Sequence, residues 1–269
     1  MTKLIINIYR YIFSRPRFEN FNRGLLHLSL RGLGVLNYEN DIVSGERFLI
    51  TKLLPAIIKK TNPVFLDIGA NLGNYSKELF KQFPNATIHL FEPQINNYNY
   101  LIKNFNSINF VHHNLAVGSE VGEIILFDRS DRNGSSHASI YKNVITKIHK
   151  TDVVESKIKM TTIDSFVNEQ KINNIDYIKI DTEGNELSIL NGATEVLNKN
   201  TINCIHFEFN EMNIYSKSFM NDFSEILINF DLYRLLRTGL IKITDKSILE
   251  REFFAYQNII AINKNVKIK

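Results

Sequence analysis

The chain of 269 residues has no tryptophan and one cysteine, Cys204. A single thiol excludes an internal disulfide, and its place in the apolar run "INCIHFEF" predicts a buried group suited to a reducing cytoplasm. No uninterrupted apolar stretch reaches the roughly 18 residues that a bilayer-spanning helix needs. The opening "MTKLIINIYRYIFSRPRF" is apolar, but Arg10 interrupts it and no small-residue cleavage site follows. A signal peptide is therefore not expected. The net charge of +4 is too mild for a dedicated nucleic-acid binder. There is no internal repeat and no low-complexity linker. What remains, 44% hydrophobic and 22% charged, is the composition of a soluble globular chain with a full core.

Residues 1–60 read as a helical extension. Leu4, Ile5, Ile8, Tyr9, Ile12 and Phe13 recur at helical spacing, with Lys3, Arg10, Arg15 and Arg17 nearby. This is a basic amphipathic helix, expected to pack on its own domain. A peripheral membrane or subunit contact through residues 1–17 stays open. A further helix is expected over "SGERFLITKLLPAIIKK", capped by Ser44 and bent at Pro55.

From residue 61 to 269 short apolar strands alternate with helices of about ten residues, which predicts an α/β domain. The expected sheet is seven-stranded and mostly parallel, with helices on both faces. The alternation breaks between about 119 and 162. There "GEIILFD" and "SKIKMTTID" read as extra strands, and a polar loop over 129–150 reads as a substrate-facing insertion.

The most informative stretch is "VFLDIGANLGNYSKELFKQFPNATIHLFEP", Val64 to Pro93. Its turn follows the first strand and falls in the crevice where open α/β sheets bind ligands. Dinucleotide folds want G-x-G-x-x-G, whereas here Gly69 and Gly73 lack the middle glycine. No Gly-Lys-Ser/Thr is present to cradle phosphates either. Asp67 would repel a phosphate and attract a cation. S-adenosylmethionine suits such a loop, having an ammonium and a sulfonium and no phosphate. Gly69 would let the backbone approach it, the amides of Asn71 to Asn74 would take its carboxylate, and Glu92 would accept its ribose hydroxyls.

The chain resembles the FkbM-type S-adenosylmethionine-dependent methyltransferases. "FLDIGANLGNYS", "FEP", "NLAVG", "TTIDSF" and "IDYIKIDTEGNELSILNGA" stand in that family's order over about residues 44 to 210. The resemblance implies a class I methyltransferase, Rossmann-like fold and O-methylation of a sugar, glycoconjugate or polyketide-type natural product. It implies that Asp67, Gly69, Ala70, Asn71 and Gly73 hold the methionine end, that Glu92 and Pro93 border the ribose, and that Asn114, Ala116 and Val117 meet the adenine.

A hydroxyl nucleophile needs positioning and a proton acceptor. Asp181 and Glu183 at the end of "YIKIDTEG", and Glu208 in "IHFEFNE", are the candidates, with His137 in the insertion as a fourth. Asp181 and Glu208 could instead pair with Lys179, since a buried lysine demands a partner. They also leave a divalent metal open, although no metal site is predicted. Glu186 is expected to be solvated on its helix. The consecutive His112 and His113 face opposite sides of a strand and cannot share one ion. The acceptor is expected to be a small molecule or glycan and not a nucleic acid. Cytoplasmic location, with or without contact at the inner face of the membrane, and a homo-oligomer are both compatible. The competing readings are a nucleic-acid or protein methyltransferase, opposed by "DTEG" where Asn/Asp-Pro-Pro-Tyr/Phe would be expected, a NAD-dependent dehydrogenase, and a non-catalytic nucleoside-binding module.

Overall fold

The computed structural model describes residues 2–131, 134–135 and 137–267; Arg132, Asn133 and Ser136 of the expected loop lie outside the described residues. In chain order the strands are β1 (Val64–Ile68), β2 (Thr87–Phe91), β3 (Phe110–His113), β4 (Ala116–Val117), β5 (Gly122–Arg129) and β6 (Val153–Thr161). They continue with β7 (Tyr177–Ile180), β8 (Cys204–Phe209), β9 (Phe230–Leu236), β10 (Gly239–Lys242) and β11 (Gln257–Asn263).

The main sheet has eight strands in the order β10-β9-β11-β8-β7-β1-β2-β3. β3, β2, β1, β7 and β8 run parallel, and β11 inserts antiparallel between β8 and β9. The expected mostly parallel α/β sheet is present. It gains one strand because "LYRLLRTGLIKI" folds back as the β9–β10 hairpin. Alternation along β1 divides the core: Leu66 and Ile68 pack on one face of the sheet, Phe65 on the other.

"FVHHNLAV" does not form one strand. β3 stays in the main sheet, while β4 joins β6 and β5 in a separate three-stranded sheet. The expected insertion is therefore a strand pair with the polar loop at its tip. The order of the main sheet reverses at β1, with β2 on one side and β7 on the other. The crevice at their carboxyl ends is where ligands bind in this architecture.

The stretch expected as a 1–60 extension divides. Helices α1 (Lys3–Phe13) and α2 (Glu19–Gly32) contain no buried residue. They meet through Phe13, Phe18 and Phe21 and the Tyr9–Asn22 hydrogen bond of 2.5 Å. Residues 46–57, by contrast, put Leu49, Leu53, Leu54 and Ile57 into the core face that holds Phe65. Full burial of each leucine contributes about 2 kcal/mol. This helix is capped by Gly45 and not by Ser44, and it widens to a π-helical turn over Leu49–Leu53 just before Pro55. Gly45 has φ +88°, and a Cβ there would lie 2.3 Å from the Leu236 carbonyl oxygen. Backbone proximity dictates the glycine.

Candidate active site

The ends of β1, β2, β7 and β8 open into a cavity of about 1060 Å³. Of the site residues read from the sequence, all but Gly73, Asn114 and His137 line it. The three exceptions have structural reasons. Gly73 has φ +74°, and a Cβ there would strike the Phe105 ring and Leu101, so it lets the Ile95–Asn104 helix pack close. Both amide hydrogens of Asn114 go to the carbonyls of Glu92 and Pro93, at 3.0 and 2.9 Å, and Leu115 lines the cavity in its place. His137 turns to Glu183, with Nδ1 and Oε1 2.9 Å apart. That hydrogen bond raises the histidine pKa.

At one end of the cavity, Asp67 is buried and accepts a 2.6 Å hydrogen bond from Ser76 Oγ. Burial pushes its carboxyl up to about 6, against the pull of that hydroxyl. Glu92 accepts from the amides of Asn71 and Gln94, both at 2.8 Å, and burial raises it to about 7. The loop amides are thus committed inside the protein: Gly69 and Ala70 donate to Phe91, Asn71 to Glu92 and Gly73 to Ala70. The expected anion site contracts to the start of the Asn74–Gln82 helix, whose first amides have no intrahelical acceptor. Gly69, at φ +87°, is fixed by its neighbour, because a Cβ there would lie 1.9 Å from the Asp181 carbonyl oxygen.

At the other end stands Lys179, 2% exposed, with Asp181 Oδ2, Glu208 Oε1 and Glu46 Oε1 at 3.5, 3.7 and 3.8 Å from its Nζ. The parallel register of β7 and β8 aligns Ile180 with Phe207, which sets Asp181 beside Glu208. Burial opposes the lysine's charge, but three carboxylates outweigh it and hold its pKa well above the usual value. Burial, and then the Asp181 charge, drives Glu208 well upward. Burial also raises Glu46. Lys179 lies over the Tyr75 ring at 5.5 Å. Tyr75, Tyr177, His206 and Asn258 continue beneath it as a chain of hydrogen bonds.

Sequence reasoning missed Glu46. Its signal was indirect: a lysine in a covered strand needs a partner, and "SGER" supplies an acid just past a glycine. Glu186 is a correction. It is buried and not solvated, because its Oε1 accepts from Thr182 N, Thr182 Oγ1 and Gly184 N, each at 3.1 Å. Burial raises it to about 7. It braces the turn that carries Asp181 and Glu183. Asp128 was also missed; it anchors the insertion by accepting from the amides of Gly134 and Ser135, at 3.1 and 3.2 Å. Gln94 Nε2 donates to Ser135 O at 2.9 Å, and Ser139 Oγ to Glu183 O at 2.8 Å. The insertion thereby spans both ends of the cavity.

A family model described as "Methyltransferase FkbM domain" matches residues 67–234, more than half of the chain. No curated protein matches significantly. Among solved structures, a methyltransferase FkbM from Methylobacillus flagellatus KT is similar at 13% identity and a TM-score of 0.45, over 75% of this chain and 44% of that one. This chain thus spans less than half of that protein's length. An O-methyltransferase from Bacillus cereus in complex with SAH is similar at 10% identity and a TM-score of 0.42, over 97% of each chain. The plantazolicin methyltransferase BpumL in complex with SAH is similar at 12% identity and the same TM-score, over 95% of this chain and 93% of that one.

Proposed function

Because the chain belongs to the FkbM methyltransferase family, we propose that it is an S-adenosylmethionine-dependent O-methyltransferase acting on a hydroxyl of a sugar, glycoconjugate or polyketide-type acceptor. S-adenosylmethionine supplies, when bound, a methyl group on a sulfonium already activated for displacement. The residues at the β1–β2 end fit such a donor. Ionised Asp67 faces its cationic amino-acid portion. The first turn of the Asn74–Gln82 helix takes its carboxylate. Each oxygen of Glu92 keeps a lone pair, beyond its backbone donor, for a ribose hydroxyl. Leu115, Ala116 and Val117 wall the base.

The observation that carries the proposal is the set of acids around Lys179 in the same cavity as Asp67 and Glu92. Lys179 holds the Asp181 carboxylate, whose side chain is the most exposed of the three at 42%. Asp181 accepts the hydroxyl proton as the acceptor oxygen attacks carbon. Glu208, whose proton affinity burial and then the Asp181 charge raise, hydrogen-bonds the acceptor and orients it. Base assistance of this kind is worth about 10²–10⁴-fold. Gly134, Ser135, Ala138 and Ile140 of the insertion line the same cavity. The test is incubation with methyl-labelled cofactor and, separately, glycans, glycolipids, polyketides, RNA and protein. Label in an alkali-stable ether of a hydroxylated small molecule is the expected result. Label confined to nucleic acid or protein nitrogen would overturn the reading.

A further inference from the structure

Two imidazoles and one carboxylate meet at the edge of the cavity. His137 and His149 stack with ring centroids 4.5 Å apart and planes at 29°. His137 Nδ1 lies 2.9 Å from Glu183 Oε1. One donor atom from each of the three residues lies within 4.8 Å of the other two. Among the described residues His149 Nε2 is buried without a hydrogen-bond partner, an expensive state for a ring nitrogen. His149 is delivered by the turn after the Val144–Ile148 helix, and Glu183 by a left-handed backbone with φ +56°. A non-glycine residue seldom adopts that conformation without a local reason.

The geometry points to a site for a divalent transition metal of the zinc type, bound by His137, His149 and Glu183. Imidazole and carboxylate ligands with positions left for water are the donor set of such ions. Tetrahedral binding at about 2.0–2.1 Å asks the donors to close to about 3.3 Å, within the reach of side-chain rotation. Both histidines belong to the insertion and the carboxylate to the β7 turn. The metal therefore staples the insertion, whose Gly134, Ser135, Ala138 and Ile140 line the cavity, onto the main sheet. The proposal stands apart from the identity of the methyl acceptor.

Titration of the chelator-treated full chain with Co²⁺, followed by visible absorption, tests it. One ion per chain, displaced by Zn²⁺, is the expected result. His149→Ala and Glu183→Gln are each expected to weaken binding by about 100-fold and to abolish the rise in melting temperature that Zn²⁺ gives the unaltered chain. S-adenosylhomocysteine titration of each variant reports separately on the cofactor end. Absence of saturable Co²⁺ binding, or undiminished binding by a folded His149→Ala chain, would overturn the proposal.

A second observation stands independently. On α1 and α2, Leu4, Ile8, Tyr11, Leu26 and Leu28 are between 51% and 78% exposed. Residues 3–31 hold six Lys/Arg, of which Arg23 pairs with Glu19 and Arg31 with Glu39, leaving Lys3, Arg10, Arg15 and Arg17 as the local excess, while the whole chain carries only +4. We infer that this hairpin docks on an anionic lipid surface, because apolar side chains flanked by excess cations match acyl chains beneath negative headgroups. Cosedimentation with phosphatidylcholine vesicles, with and without phosphatidylglycerol, tests it. Binding only to the anionic vesicles is expected, weakened about tenfold by Ile8→Glu with Leu28→Glu and by high salt. Equal binding to both vesicles, no binding, or loss of a stable dimer as the only effect of these substitutions would refute it.

Discussion

At the β1–β2 end of the cavity, Asp67 and Glu92 each stand apart, one donor from Ser76 and two from the backbone setting their orientation. At the β7–β8 end, Asp181, Glu208 and Glu46 crowd round the single ammonium of Lys179. The first pair is raised chiefly by loss of water. On the proposed function, Asp67 answers to one incoming cation and Glu92 to hydroxyl donors. The second group carries more negative charge than its lysine can balance, and burial raises the proton affinity of Glu208 and Glu46 within it. On the proposed function, one end grips the donor and the other moves a proton, although both are made of the same side-chain chemistry.

The most damaging change is expected where the two ends touch. Gly69→Ala forces a Cβ onto the Asp181 carbonyl in a left-handed conformation. It should destabilise the chain by roughly 4 kcal/mol or more, measured by denaturant unfolding, and so erase the distinction altogether. Asp181→Asn should separate the ends: turnover falls about 10²–10⁴-fold, while S-adenosylhomocysteine affinity by titration calorimetry is unchanged. Equal losses of both would contradict the division of labour. Glu186→Ala leaves three donors of the Thr182–Gly184 turn without their acceptor. It should cost about 2–3 kcal/mol in thermal unfolding and lower turnover without touching cofactor affinity.

The smallest expected effect is the most diagnostic. Asp67→Asn should weaken cofactor binding about 10-fold, one charge interaction at a partly shielded site. It should also remove the part of the pH dependence of that binding centred near pH 6, leaving the part set by Glu92 near 7. In the unaltered chain a cation prefers ionised Asp67, so affinity rises with pH through about 6. Stability of the free chain runs the other way. Asp67, Glu92 and Glu186 have folded values of about 6, 7 and 7, above their ordinary 3.8, 4.5 and 4.5. Their stabilisation is complete below the ordinary values and is lost as pH climbs through the folded ones. The stabilising contribution of these three acids should therefore fall between about pH 4 and pH 7, while cofactor affinity climbs. For Asp67 it is read as the melting-temperature difference from Asp67→Asn without cofactor, because His89 and His113, held down to about 4 by burial, push the whole-chain trend the other way over much of that window. Parallel trends would break the assignment.

The β1–β2 end was legible in the sequence because one strand-turn-helix-strand unit writes it locally: Asp67, the loop and Glu92 lie within a short span. The roles within that span were less legible. Gly69 and Gly73 answer to the Asp181 carbonyl and the Phe105 ring, and Asn114 to two carbonyls, contacts that no local pattern displays. The β7–β8 end was half legible. Strand alternation put Asp181 and Glu208 on neighbouring ends, and the misplaced-looking Lys179 announced a buried charge group. Glu46 reaches that group from far upstream, Glu186 turns inward to brace a turn, and the β9–β10 hairpin adds a strand. All three are decided by tertiary packing, which overrides helix-surface and strand-count expectations drawn from one segment.

Glu46 also bears on how such a chain can be cut or grafted. A shortened version starting at β1 would keep every parallel strand yet lose a negative group from the cavity around Lys179. It would also bare the hydrophobic seat of the Leu49–Leu53 turn. On the proposed function, variation in the segment ahead of β1 can thus retune acceptor chemistry from outside the sheet, with no substitution in the loop proposed to hold the donor.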